Sequence, residues 1–148
     1  MRLFRGGLIG LLFLCLPLRA AAQIAVHTVA LTTDASGDVT AYAANTYGSV
    51  LAIRYVPHAT TPLDTAATLT ISDNVSGLQV LSITSLGLFA RDFAPRMFVM
   101  TTTGTVALYA AGGTNVLEPV PVAGSVKVVV AAGGNAKSGT IYLFVAGR

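Results

Sequence analysis

The sequence predicts an all-β protein: a β-sandwich or jelly-roll-like small barrel of about eight short antiparallel strands. Three observations carry this. Beyond residue 23, apolar residues recur with period two in segments rich in Val, Thr, Ile and Tyr, side chains that suit a pleated, half-buried surface. Clusters of Asp, Asn, Ser and Gly interrupt those segments at short intervals, as turns between strands do. No stretch sustains the 3.6-residue apolar repeat of an amphipathic helix over three turns.

Residues 1–22 stand apart from that pattern. Arg2 and Arg5 precede an apolar run over 8–18, and Ala20-Ala21-Ala22 supplies small residues where a signal peptidase cuts, which makes Gln23 the expected new N-terminus. The run is short for a membrane span, which needs about 20 residues. An uncleaved membrane anchor and a misassigned start remain the alternatives. Leu14 stands before Cys15, where a lipoprotein signal needs a small residue, so Cys15 reads as part of the apolar run. The expected organisation is therefore a signal peptide or hydrophobic leader over 1–22 and a single β domain over 23–148.

Within that domain, residues 24–32 alternate as a strand and end in the turn 33–38, after which 39–43 can return as the partner strand. Residues 49–56 form a second strand that stops at Pro57, which lacks the N–H a ladder needs. Residues 67–72 and 78–84 form a hairpin around Asp73-Asn74-Val75-Ser76-Gly77, with Gly77 at the expected left-handed position. Residues 86–96 are ambiguous between loop and helical turn. Residues 97–102 read as a strand, and 105–110 as a strand or brief helix. Residues 125–131 and 140–146 read as a hairpin joined by the polar loop 133–139. Ala-Ala-Gly-Gly occurs at 110–113 and 131–134 and reads as similar turn chemistry used twice.

Composition narrows the function classes. The 148 residues are 53% hydrophobic and 10% charged, with one Cys and no Trp. That excludes a disordered charged chain, a disulfide framework and a Cys-rich zinc site. The formal charge of +3 would suggest an anionic partner, but Arg2, Arg5 and Arg19 lie in the leader. Residues 23–148 hold six basic side chains and six acidic ones. No basic cluster is left to neutralise several phosphates, so nucleic acid is not an expected partner.

The residues with chemistry to offer are few. His27 and His58 have no neighbouring polar group in sequence to make a catalytic pair. Asp34, Asp38 and Asp73 are the best candidates for a metal, but Asp34-Ala35-Ser36-Gly37-Asp38 lacks the calcium-loop spacing, and turn carboxylates commonly serve local backbone bonding. Asp92 and Arg96 bracket Phe93-Ala94-Pro95 and are positioned to pair with each other or with a neighbouring subunit. No nucleophile elbow, zinc-protease motif or phosphate loop is present. The expectation is a non-enzymatic protein with no catalytic, cofactor-binding or metal residues and no cofactor. A carbohydrate-binding sandwich ranks lower, since there is no Trp and Tyr42, Tyr47, Tyr55, Tyr109 and Tyr142 sit in strand patterns that usually make core. An outer-membrane barrel also ranks lower, because its strands would need to be longer.

Low charge and apolar strands favour burial against other protein. Residues 126–131 carry one charge, Lys127, a gatekeeper against edge pairing, and 141–146 carry none. Subunit contacts would cover the excess, which points to a homo-oligomer.

A resemblance adds to this. Val26-His27-Thr28-Val29-Ala30-Leu31-Thr32-Thr33-Asp34-Ala35-Ser36-Gly37-Asp38-Val39-Thr40-Ala41-Tyr42 resembles the opening of small phage and prophage virion proteins, as does Val50-Leu51-Ala52-Ile53-Arg54-Tyr55-Val56. Residues 107–115, 126–131 and Gly139-Thr140 extend it over most of the domain. The resemblance implies a structural component of tailed-phage heads, of the decoration or cement kind, whose partner is a capsid shell or itself, and no catalytic residues carry over. The leader departs from that pattern, since virion proteins assemble in the cytoplasm. It favours the alternative of an exported bacterial surface or periplasmic protein, an adhesive or fibre subunit. Location is accordingly the virion, or the periplasm or cell surface after cleavage, with membrane contact only through residues 1–22 if they are retained.

Overall fold

The computed structural model describes residues 23–110 and 112–147. The leader expected over 1–22 lies outside the described residues. Eight strands form one open antiparallel sheet: β1 (Ile24–Thr32), β2 (Val39–Pro57), β3 (Thr68–Asp73), β4 (Gln79–Ile83), β5 (Arg91–Phe93), β6 (Arg96–Phe98), β7 (Leu117–Ala131) and β8 (Ser138–Ala146). The main order is β1-β8-β2-β7-β3-β4, with β5 added to β2 and β6 to β7. The fold is all-β and sandwich-like, as the periodicity predicts.

One long strand turns the sheet into two layers. The first part of β2 pairs with β7 from Val39↔Val130 to Val50↔Val120, and the second pairs with β8 from Ser49↔Ala146 to Pro57↔Gly139. The register shifts between Ala44 and Thr46, where Asn45 takes φ 54°, and again between Val50 and Ala52. Asn tolerates this left-handed conformation better than most residues, and such bulges bend and twist a strand. At the crossing sits Gly48, with φ 132°; a Cβ there would collide with the Ala146 carbonyl oxygen. Only glycine lets β2 pass so close to the end of β8.

One face of every long strand fills a single core. Val29 and Leu31 of β1, Ile53 and Tyr55 of β2, Leu69 and Ile71 of β3, Val126, Val128 and Val130 of β7, and Ile141, Leu143 and Val145 of β8 are buried together, with Leu63 and Leu86 from the loops. Strict alternation along β3, the C-terminal half of β7 and β8 is the sequence signature of that one-sided burial. At Gly139 a Cβ would meet Tyr55 Cε2 at 2.7 Å, so β8 leaves the ring its space by carrying no side chain there.

Two expected pairings are replaced by crossings between layers. β1 pairs with β8, not with the strand that begins at Val39. Likewise, β7 and β8 are not a hairpin, because β2 lies between them. The loops 33–38 and 132–137 are arches that pass from one layer to the other, and they brace one another. Thr33 and Lys137 exchange bonds, with the Thr33 N–H donating to the Lys137 carbonyl at 2.9 Å and the Lys137 N–H to Thr33 Oγ1 at 2.9 Å. The Gly133 N–H donates to the Gly37 carbonyl at 2.7 Å, and the Asp64 N–H to the Gly133 carbonyl at 2.9 Å.

Two further expectations are corrected. Lys127 is no edge gatekeeper, since it faces Tyr42 of β2 on one side and Ser72 of β3 on the other. The two Ala-Ala-Gly-Gly tracts form different turns: Ala132 and Gly134 are left-handed in one, Gly112 in the other. The hairpin of β3 and β4 stands as expected, with Gly77 at φ 73°.

Candidate interaction surface

The polar residues singled out in the sequence are occupied with holding turns. Asp34 Oδ1 accepts from the N–H groups of Ser36 (2.9 Å) and Asp38 (3.0 Å), and Asp38 Oδ1 accepts from the Ala132 N–H at 3.2 Å, which ties the two arches. His58 Nδ1 lies 3.0 Å from Thr61 Oγ1 and 3.3 Å from the Thr61 N–H, on an exposed turn. His27 is half-buried on β1. Among the described residues no three His, Cys, Asp or Glu side chains come together to hold a metal.

Asp73 is the exception in burial. Its carboxylate is enclosed, with Oδ2 accepting from the Ser76 N–H at 2.9 Å and from the Ser76 hydroxyl, and Oδ1 from the Ala123 N–H at 3.3 Å. Burial pushes the carboxyl up, but the bonds from Ser76, Ala123 and Val75 outweigh it and hold it below the usual carboxylate value. Asp73 thereby pins the β3–β4 turn to β7. Asp92 does not pair with Arg96. It lies 3.8 Å from Arg54 on the exposed surface, while Arg96 donates to the carbonyls of Leu51 (3.2 Å) and Pro95 (2.9 Å).

The unusual surface is a tongue over residues 96–119. β6 and the start of β7 pair at its base, from Arg96↔Pro119 to Phe98↔Leu117. Beyond Val99 the two strands part and admit residues 105–109 between them. The Ala107 N–H donates to the Val99 carbonyl at 2.7 Å and the Val116 N–H to the Ala107 carbonyl at 2.9 Å, with bridges at Met100↔Val106 and Leu108↔Asn115. Thr101 Oγ1 closes the first turn, 2.8 Å from Thr105 Oγ1, and the Gly113 N–H closes the second on the Ala110 carbonyl at 2.8 Å.

Antiparallel partners share a face, so the register sorts the tongue's side chains. Phe98, Met100, Val106, Leu108 and Leu117 lie on one face, and each is between 37% and 55% exposed. The half-buried Met97, Val99, Ala107 and Val116 belong to the opposite face, and Met97 packs on the core. From Met97 to Leu117 the sequence has no charged residue. Tyr109 is 75% exposed on the tongue and Phe89 is 80% exposed in the preceding loop. This surface is what sequence reasoning missed: residues 97–102 read as a strand and 105–110 as a strand or brief helix, with no sign that one face would be open to solvent. The tyrosines are also redistributed, with Tyr55 buried but Tyr42, Tyr47 and Tyr109 exposed.

The fold and this surface define a class no narrower than a two-layer β domain with an uncharged tongue whose one face is apolar and exposed. Comparison with protein-family models, curated proteins and solved structures returned no match.

Proposed function

We propose that the chain is a non-enzymatic structural protein, a phage head decoration or capsid-associated β domain that oligomerises on a repeating protein surface. The observation that carries this reading is the apolar face of the tongue. Soluble chains rarely leave a contiguous apolar patch open unless it meets a partner. The lack of charge over 97–117 selects for an equally uncharged protein surface, because a charged one would be desolvated without compensation. The resemblance of residues 26–42 and 50–56 to virion proteins supplies the capsid as that surface.

Co-sedimentation with assembled capsid shells tests the proposal. Saturable binding of residues 23–148, lost when Phe98 and Leu108 are changed to Ser, is the expected outcome. A monodisperse monomer with no affinity for shells overturns it.

A second reading is favoured by the sequence of residues 1–22: an exported surface or periplasmic adhesive or fibre subunit using the same tongue. Cell fractionation with N-terminal sequencing separates the two. Export and a start at Gln23 support the second, and cytoplasmic retention removes it.

A further inference from the structure

The edges of the sheet are treated unequally. β4 ends one side and is five residues long, with a register shift in its pairing to β3. β5 is three residues long and carries Arg91 and Asp92. Shortness, irregularity and charge are the usual devices that stop an edge from recruiting another strand. β1 has none of them. It runs nine residues, Ile24–Thr32, without a charge, a Pro, a Gly or a bulge, and among the described residues it pairs, in unbroken register, with β8 on one side only.

The register fixes which groups face outward. The Gly147 N–H donates to the Gln23 carbonyl at 3.0 Å, and the Thr33 N–H to the Lys137 carbonyl at 2.9 Å. Odd-numbered residues of β1 therefore direct their backbone at β8, and Ile24, Val26, Thr28, Ala30 and Thr32 direct theirs at the open edge. The side chains of those five are exposed as well, Ile24 at 58% and Val26 at 53%.

We infer that β1 pairs antiparallel with β1 of a second copy of this chain, about a two-fold axis at Thr28, making one continuous sheet across a dimer. This deepens the assembly reading above and rests on it. The strand is self-complementary in this register. Ile24 faces Thr32, Val26 faces Ala30 and Thr28 faces Thr28 on the outer side, with Ala25 against Leu31 and His27 against Val29 on the inner side. Inward residues meet inward residues, no like charges oppose, and the Thr–Thr and β-branched pairs are ones a ladder favours. About ten backbone hydrogen bonds form from groups that otherwise face water. A two-fold interface needs this property, one patch that matches itself.

The test uses the chain from Gln23, which retains every buried core residue from Val29 to Val145. Wild type sediments as a dimer or as a multiple of dimers. Thr28→Lys sets two like charges face to face at the axis and raises the dissociation constant at least about tenfold, as does Thr28→Glu. An equimolar mixture of the two variants associates again as a heterodimer. Unchanged circular dichroism shows that each variant is folded. In wild type the amides of Val26, Thr28 and Ala30 exchange slowly, and in either variant alone they exchange fast. A wild-type monomer overturns both the inference and self-association generally. Association that survives Thr28→Lys but is lost on Phe98→Ser and Leu108→Ser overturns the edge assignment and leaves the assembly reading standing.

Discussion

Asp73 is the residue whose electrostatics matter most to the fold. Its carboxylate receives bonds from Ser76 and Ala123 in a buried setting, and its pKa is held below the usual value. An unfolded Asp titrates near about 3.9. A group with a depressed native pKa contributes its stability in full above the unfolded value and loses it as pH falls through the native one. Asp73→Asn keeps the shape but turns amide donors toward N–H groups, so at pH 7 it costs about 1–3 kcal/mol. The gap between wild type and variant narrows below pH ~4, as the wild type protonates. Urea melts across that range check both statements. Tyr55 makes the opposite case. Its hydroxyl is buried and makes no well-formed hydrogen bond among the described residues; burial pushes its pKa up, and the nearby Leu63 backbone offsets this only in part. Removing a poorly satisfied polar atom while keeping the ring leaves packing intact, so Tyr55→Phe is neutral or stabilising by up to about 1 kcal/mol. A clear loss of stability in the same melts would show that the hydroxyl has a partner.

At the scale of elements, the tongue is separable from the body. No described residue from Arg96 to Pro119 is fully buried, while the core is closed by β1, β2, β3, β7, β8 and the flanking loops. Replacing 99–116 by a two-residue turn that joins Phe98 to Leu117 therefore leaves the domain folded, with a loss below about 1 kcal/mol, and under the proposed function abolishes shell binding. Collapse of the domain would show that the tongue is part of the core. The tongue was also the part least legible in the sequence. Pattern reading equates apolar with buried, and that equation holds for β8, where no residue is exposed, but it fails at Ile24 and Val26 of β1 and inverts over 97–109, where Phe98, Met100 and Leu108 face water. The arches failed differently. Gly133-Gly134 and the Asp-Ser-Gly turn announce a reversal of direction, which is local chemistry, but not the layer into which the chain reverses, which the distant β2 decides by taking the place between β7 and β8. The first half of β7 was hidden by Pro119 and Pro121. β3 joins β7 only from Val126 onward, so the stretch with the prolines has an open side, where a missing N–H costs little.

At the scale of the whole molecule, the dominant fact is the neutrality of the domain over residues 23–148. Residues 23–148 balance six acidic against six basic side chains, and the sole ion pair among the described residues, Arg54 with Asp92, is exposed on both sides and contributes little. Neither the tongue face nor the β1 edge carries a charge. The association proposed for these surfaces draws on removing apolar area from water and on completing backbone hydrogen bonds, and neither depends on a long-range field. Screening shortens the reach of charges from about 14 Å at 0.05 M salt to about 4 Å at 0.5 M. A charge-steered complex would weaken many-fold over that range. Here the dissociation constant measured by sedimentation changes less than about twofold in sodium chloride and falls in sodium sulfate, which strengthens apolar burial. Dissociation by sodium chloride would instead mean that the charged turns around Asp34, Asp38 and Lys137 form the interface, and would move the contact from the tongue and the open edge to the arch end of the sandwich.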